Sequence, residues 1–158
     1  MKKTLFTFSI LFLIFCGAVH ADTIQLKNFT ELLDALNKGE KVNVVIHYAD
    51  CKLKIDSVEK KSPDEIAGMP MMPFEYYGAG VINKKAFISS SSTVMIYLAG
   101  FNGFVDNYIK VRAYDDNTVE VTVKFVAAKT FETQMDEMFT GEINDGSNGK
   151  GVYFFTEK

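Results

Sequence analysis

Apolar residues recur along this chain with two different periods, and the periods predict one helix followed by a succession of strands. Phe29, Leu32, Leu33 and Leu36 fall at i, i+3, i+4 and i+7, which is one stripe along a helix. Asn28 stands at the capping position, Glu31 follows three residues later, and Gly39 sits where helices close through a left-handed residue. An amphipathic helix over 29–38 is therefore expected, lying on an apolar surface. Beyond it the period drops to two. Val42, Val44, Ile46 and Tyr48 share one face of a strand, with Asn43, Val45 and His47 on the other. Thr93 to Leu98 reads as a mostly apolar strand. Ile109, Val111 and Ala113, then Val119, Val121, Val123 and Phe125, alternate with polar residues on either side of the Asp115-Asp116-Asn117-Thr118 turn, the clearest hairpin in the chain.

Phe131, Met135, Phe139 and Ile143 mark one face of a further alternating stretch. Asn144 to Gly151 is a loop, and Val152 to Thr156 is a closing strand. Residues 56–72, with a charged run and then Gly68-Met69-Pro70-Met71-Met72-Pro73, read as a long loop. The fold class these elements imply is α+β. One N-terminal helix packs on an antiparallel sheet of six to eight strands, curled or closed into a small barrel.

The first twenty-one residues change how the rest is weighed. Lys2 and Lys3 precede an apolar run from Leu5 to Phe15, and Val19-His20-Ala21 presents small residues before Asp22. This is the layout of a secretory signal peptide, too short for a stable membrane span. Phe15 is too large to precede a lipidated Cys16. The expected domains are a signal peptide over 1–21 and a single domain over 22–158, periplasmic or secreted. Cleavage leaves 137 of 158 residues. Removing Lys2 and Lys3 from the 17 basic residues leaves 15 against 20 acidic, a net charge of about −5. Such a domain is a poor match for nucleic acid or an anionic membrane surface. Cleavage also removes Cys16, so Cys51 is left without an intramolecular disulfide partner.

Two clusters hold candidate chemistry. His47, Asp50 and Cys51 lie close in sequence, and a thiol nucleophile needs a base within hydrogen-bond reach. Four residues of extended strand would separate the imidazole and the thiol by roughly 13 Å, too far for contact without a bend at Ala49-Asp50. A small buried hydrophobe is the plainer role for Cys51. Met69, Met71 and Met72 are soft thioethers that suit Cu(I), with His47 as a further ligand, or else apolar packing in a loop. Asp145 and Asn148 lack the oxygen order of a calcium loop. The paired carboxylates Asp115-Asp116 and Asp136-Glu137 read as solvated surface. No nucleophile elbow, zinc-protease motif or phosphate-binding loop occurs.

Several segments nevertheless resemble one family. Leu32-Leu33-Asp34-Ala35-Leu36-Asn37-Lys38-Gly39, Val42 through Tyr48-Ala49-Asp50-Cys51-Lys52-Leu53, the Ser89–Thr93 run, Tyr108-Ile109-Lys110-Val111-Arg112, Phe139-Thr140-Gly141-Glu142-Ile143 and Gly151-Val152-Tyr153-Phe154 are similar to the bacterial VirK family. The resemblance covers nearly the whole chain after residue 21. It implies a small exported protein associated by name with virulence regulons, in one domain, and carries over no catalytic residues. The function expected is a non-enzymatic domain, without cofactor, that binds a protein or a small apolar ligand. A thiol- or copper-handling role at Cys51, His47 and the Met69–Met72 loop is the alternative.

Overall fold

A computed structural model describes residues 22–55, 58–80, 84–101 and 103–157; the proposed signal peptide lies outside them. The helix forms where its apolar stripe predicts. α1 runs Phe29–Asn37 and buries Phe29, Leu32, Ala35 and Leu36. The Asn28 side chain accepts the Glu31 N–H at 2.9 Å, while the Glu31 carboxylate accepts the Asn28 amide at 2.8 Å and the Lys27 N–H at 2.8 Å. Gly39 takes φ 75° just beyond the helix. Asn28→Ala frees a helix-terminal N–H, and urea denaturation is expected to register a loss of about 1 kcal/mol.

Eleven strands are found among the described residues: β1 Thr23–Leu26, β2 Val42–His47, β3 Lys52–Ile55, β4 Val58–Lys60, β5 Ile66–Pro70, β6 Phe74–Tyr77, β7 Phe87–Leu98, β8 Gly103–Tyr114, β9 Thr118–Ala127, β10 Thr133–Glu142 and β11 Val152–Glu157. They form two antiparallel sheets, β1-β11-β2-β5 and β4-β3-β10-β9-β8-β7-β6. The class is mainly β with one helix, and neither sheet closes. The curled single sheet or barrel of six to eight strands expected from the alternation is thereby corrected. A strand's period tells which residues share a face; it does not tell which strands share a sheet.

The chain changes sheets through short corners. A 3-10 turn at Tyr48–Asp50 carries it from β2 in the smaller sheet to β3 in the larger one. The Asn144–Gly151 loop carries it back from β10 to β11, with a parallel bridge between Ile143 and Val152. Buried residues of α1 and both sheets join in one hydrophobic cluster, with Leu32, Val44, Ile46, Val111, Val121, Val152 and Phe154 fully covered. β11 is central in its sheet, and its buried Val152, Phe154 and Thr156 alternate with half-buried Tyr153 and Phe155.

The β8–β9 hairpin pairs Val111 with Val121 and Ala113 with Val119, as alternation predicts. Three expectations change. The long loop over 56–72 contains β4, an exposed charged edge strand, and β5, which pairs Val44 with Met69. Edge pairing uses backbone groups and needs no apolar alternation, so it leaves a weak trace in the sequence. The strand expected at Thr93 begins at Phe87 instead. Ser89 and Ser90 are held between β6 and β8, and the Ser90 hydroxyl donates to the Pro73 carbonyl at 2.8 Å. Phe131 falls outside β10 with φ 59° and is 76 % exposed, so it does not share the inner face with Met135 and Phe139.

Candidate functional site

The seven-stranded sheet is longer than what covers it. Register assigns its inner face to Ile88, Ser90, Ser92, Val94 and Ile96 on β7, Asn107, Ile109, Val111 and Ala113 on β8, Val119, Val121, Val123 and Phe125 on β9, and Met135, Glu137 and Phe139 on β10. Near the corners this face is closed: Ile88, Val111, Ala113, Val119 and Val121 have no exposed surface. Toward the far ends of the same strands it opens. Ile109, Phe125 and Met135 are half-buried, and Val94 is 57 % exposed.

The opening is a groove of about 700 Å³. One wall is the bare sheet, with Ile96, Leu98, Ile109, Val123, Phe125, Met135 and Phe139. The opposite wall is the segment from Lys61 to Ala67, with Pro63, Glu65 and Ile66, and Tyr48 lies at the base. Phe101 adds an aromatic edge, its ring T-shaped to Phe125 at 5.8 Å. Tyr48 packs on Phe139 with centroids 4.4 Å apart, and the Tyr48 N–H donates to the Glu65 carbonyl at 3.0 Å, tying the two walls.

Three polar groups interrupt the apolar lining. The Asn107 Oδ1 is buried and has no hydrogen-bond partner among the described residues. Glu137 occupies an inner-face position between Met135 and Phe139. Burial, and then the nearby Glu65 charge, push its carboxyl above its ordinary value. Burial, followed by Cys51, Glu65 and Glu137, raises the Tyr48 phenol from 10.0 to about 12. The groove is thus apolar, rich in acceptors and net acidic, with the exposed Lys61 as its one lining cation among the described residues.

The residues singled out from sequence lie elsewhere, and the fold does not bring them together. Cys51 is buried at the corner between the sheets, 6 % exposed, and borders a second, polar hollow beside residues 59–64. Burial first, and Asp50 second, raise its thiol from 9.0 to about 11, so near neutral pH it is protonated rather than a nucleophilic thiolate. His47 shares the outer face of the smaller sheet with Val45, where its ring meets Tyr153 at 5.0 Å. Parity separates it from Val44 and Ile46 on the core side, to which Cys51 belongs. Met69 and Met71 are core residues, 6 % and 0 % exposed, while Met72 is 49 % exposed. In the Asn144–Gly151 loop, Asp145 Oδ1 already accepts the N–H groups of Ser147 and Asn148 at 2.8 Å each. Asp115 and Asp116 flank the β8–β9 turn, where Lys85 bonds Asp116 and holds its carboxyl down to about 2. A thiol-reactive probe at neutral pH is expected to leave Cys51 unlabelled in the folded protein and to label it in denaturant; rapid labelling without denaturant would overturn its assignment to the core.

The reading of Glu137 as solvated surface is corrected, since β10 turns it inward to a half-buried position; the other groove residues carry no chemical motif in the sequence, yet a signal existed. Asn107 and Glu137 are polar at positions whose parity makes them inward-facing, each inside an otherwise apolar series. A break of that kind in an alternating strand is the trace of a face that ends in solvent or in a ligand.

The fold and groove define a class first: a small two-sheet antiparallel domain, open at one end, with an apolar recess there. The VirK protein family model matches residues 25–131, and the chain belongs to that family. Among solved structures it is similar to the crystal structure of lpg1832, a VirK family protein from Legionella pneumophila, with a TM-score of 0.64 and 15 % identity over 84 % of this chain and 98 % of that one. At that identity the likeness concerns the fold. No curated protein matches the chain.

Proposed function

We propose that this is an exported, non-enzymatic binding domain whose groove takes a small apolar ligand. The observation that carries the reading is the uncovered end of the inner face. Apolar side chains that include those of β7, β8, β9 and β10 line about 700 Å³ of recess, a volume in the range of small-molecule sites, while the same face is fully packed near the corners. Burying this surface in a ligand recovers hydrophobic free energy that the fold itself leaves unused. Export is supported by the layout of residues 1–21, and mass spectrometry of the full chain expressed in a bacterium is expected to find a mature N-terminus at Asp22.

Titration with the neutral fluorophore N-phenyl-1-naphthylamine tests the groove. Saturable binding to one site is expected, weakened about tenfold or more by Phe125→Asp, because a carboxylate at that half-buried position replaces apolar contact. Thermal melts of the variant establish that it remains folded. Equal affinity of wild type and Phe125→Asp would remove the groove from the account.

A further inference from the structure

We propose that the groove selects a small amphiphile with a protonated amine at one end of its apolar body and an N–H or O–H donor further along it. This rests on the groove being the binding site and adds the chemistry of what enters.

The groove holds acceptors that the chain leaves unmet among the described residues. Glu65 and Glu137 approach each other from opposite walls, one on the 61–67 segment and the other on the inner face of β10. Neither has an ion-pair partner among the described residues. Glu65 is exposed and Glu137 is half-buried; the Glu65 charge is one cause of the raised Glu137 carboxyl, and a cation placed between them offsets that repulsion. Lys61 is the lining cation among the described residues, but it pairs with neither. A carboxylate- or phosphate-bearing lipid would add a third negative charge to the recess, so the apolar lining alone does not describe what fits.

Asn107 supplies the second constraint. Its buried Oδ1 accepts no hydrogen bond among the described residues, and a buried acceptor left unmet is costly. It lies on β8, two strands across and two residues along from Glu137 on β10, which at ordinary strand spacings is roughly 12 Å. One ammonium head cannot serve both sites. The rows between them, Ile109, Val123, Phe125 and Met135, are apolar. The sequence of groups met along the groove is therefore anion pair, apolar floor, lone acceptor, and the complementary molecule carries cation, apolar body and donor in the same order.

Decylammonium, decanol and decanoate, compared by calorimetry below their aggregation concentrations, separate the possibilities. The ammonium is expected to bind about tenfold tighter than the alcohol, and the carboxylate weakest. The double variant Glu65→Gln/Glu137→Gln keeps side-chain volume, and in it ammonium and alcohol are expected to bind alike with the alcohol unchanged. Equal binding of ammonium and alcohol to wild type, or a preference that survives in the double variant, overturns the cation selectivity and leaves the groove reading standing. Binding by none of the three overturns both. ω-Hydroxydecylammonium is expected to bind as tightly as decylammonium to wild type and more weakly to Asn107→Leu. A hydroxyl penalty that is the same in wild type and Asn107→Leu overturns the assignment of Asn107 as the second contact.

Discussion

Replacing Gly151 with alanine is expected to destabilise the protein by about 3 kcal/mol or more, the upper end of what overpacking a closed site costs. A Cβ there would lie 2.5 Å from the His47 carbonyl oxygen, 2.9 Å from the Asp50 Cβ and 3.1 Å from the Cys51 sulfur. The nearest obstacle is backbone, and it cannot step aside. The Gly151 carbonyl accepts the His47 N–H at 2.8 Å, so the two segments that turn the chain between sheets are already held at their closest approach. Gly141 makes a useful contrast. Its Cβ would meet the Cys51 sulfur at 3.0 Å and Val152 Cγ2 at 3.2 Å, both side-chain atoms. Gly141→Ala is expected to cost about 1–2 kcal/mol, and Cys51→Ala in the same molecule is expected to restore part of that by removing the sulfur. In Gly151→Ala, Cys51→Ala is expected to restore little. Chemical denaturation of the four variants reads this directly; full recovery of Gly151→Ala by Cys51→Ala would show that the backbone contact is not the obstacle.

Stability is also expected to fall steeply in alkali, between about pH 9 and pH 12. The folded state holds the Cys51 thiol at about 11 and the Tyr48 phenol at about 12, against ordinary values of 9.0 and 10.0. For acids that become charged on losing a proton, a raised folded value means that the unfolded chain deprotonates first. The stabilisation is fully present below the ordinary values and is lost as the pH climbs toward the raised ones. Burial is the leading cause for both groups, and each ionisation opposes the other, since Cys51 is itself among the causes at Tyr48. Screening by solvent at the corner and the groove brings the combined loss to roughly 3 kcal/mol. Thermal melts across this window are expected to show a falling midpoint, with a reduced fall in Tyr48→Phe and Cys51→Ala. A midpoint that is flat to pH 12 would contradict the burial of both groups.

The α1 stripe, its Asn28 cap and the β8–β9 hairpin were readable because local spacing alone produces them: capping atoms are three residues apart and hairpin partners are neighbours in sequence. Cys51 as a buried hydrophobe was readable for a compositional reason, the low polarity of the thiol. Phe131 misled because alternation continues through a residue that the structure turns outward at positive φ. β4 and β5 were missed because an edge strand is specified mostly by backbone pairing, of β4 with the adjacent β3 and of β5 with β2 further back, and needs no apolar alternation. Glu137 and Asn107 were visible as exceptions to alternation, but their meaning depended on what lies opposite them.

The sequence by itself determined the helix, the inward and outward sets of β8 and β9, the lone thiol after residue 21 and the layout of an export signal. These are properties of spacing and composition, carried by a few residues at a time. Only the tertiary structure decided that the strands divide into two sheets and that His47 and Cys51 take opposite sides of one of them. It also decided that Met69 and Met71 serve the core and that the inner face of the larger sheet outruns its cover. Each of those outcomes depends on which distant segments exclude water from one another, and such contacts, closed by Gly151 at one corner and left open beside Asn107 and Glu137 at the far end, have no local signature.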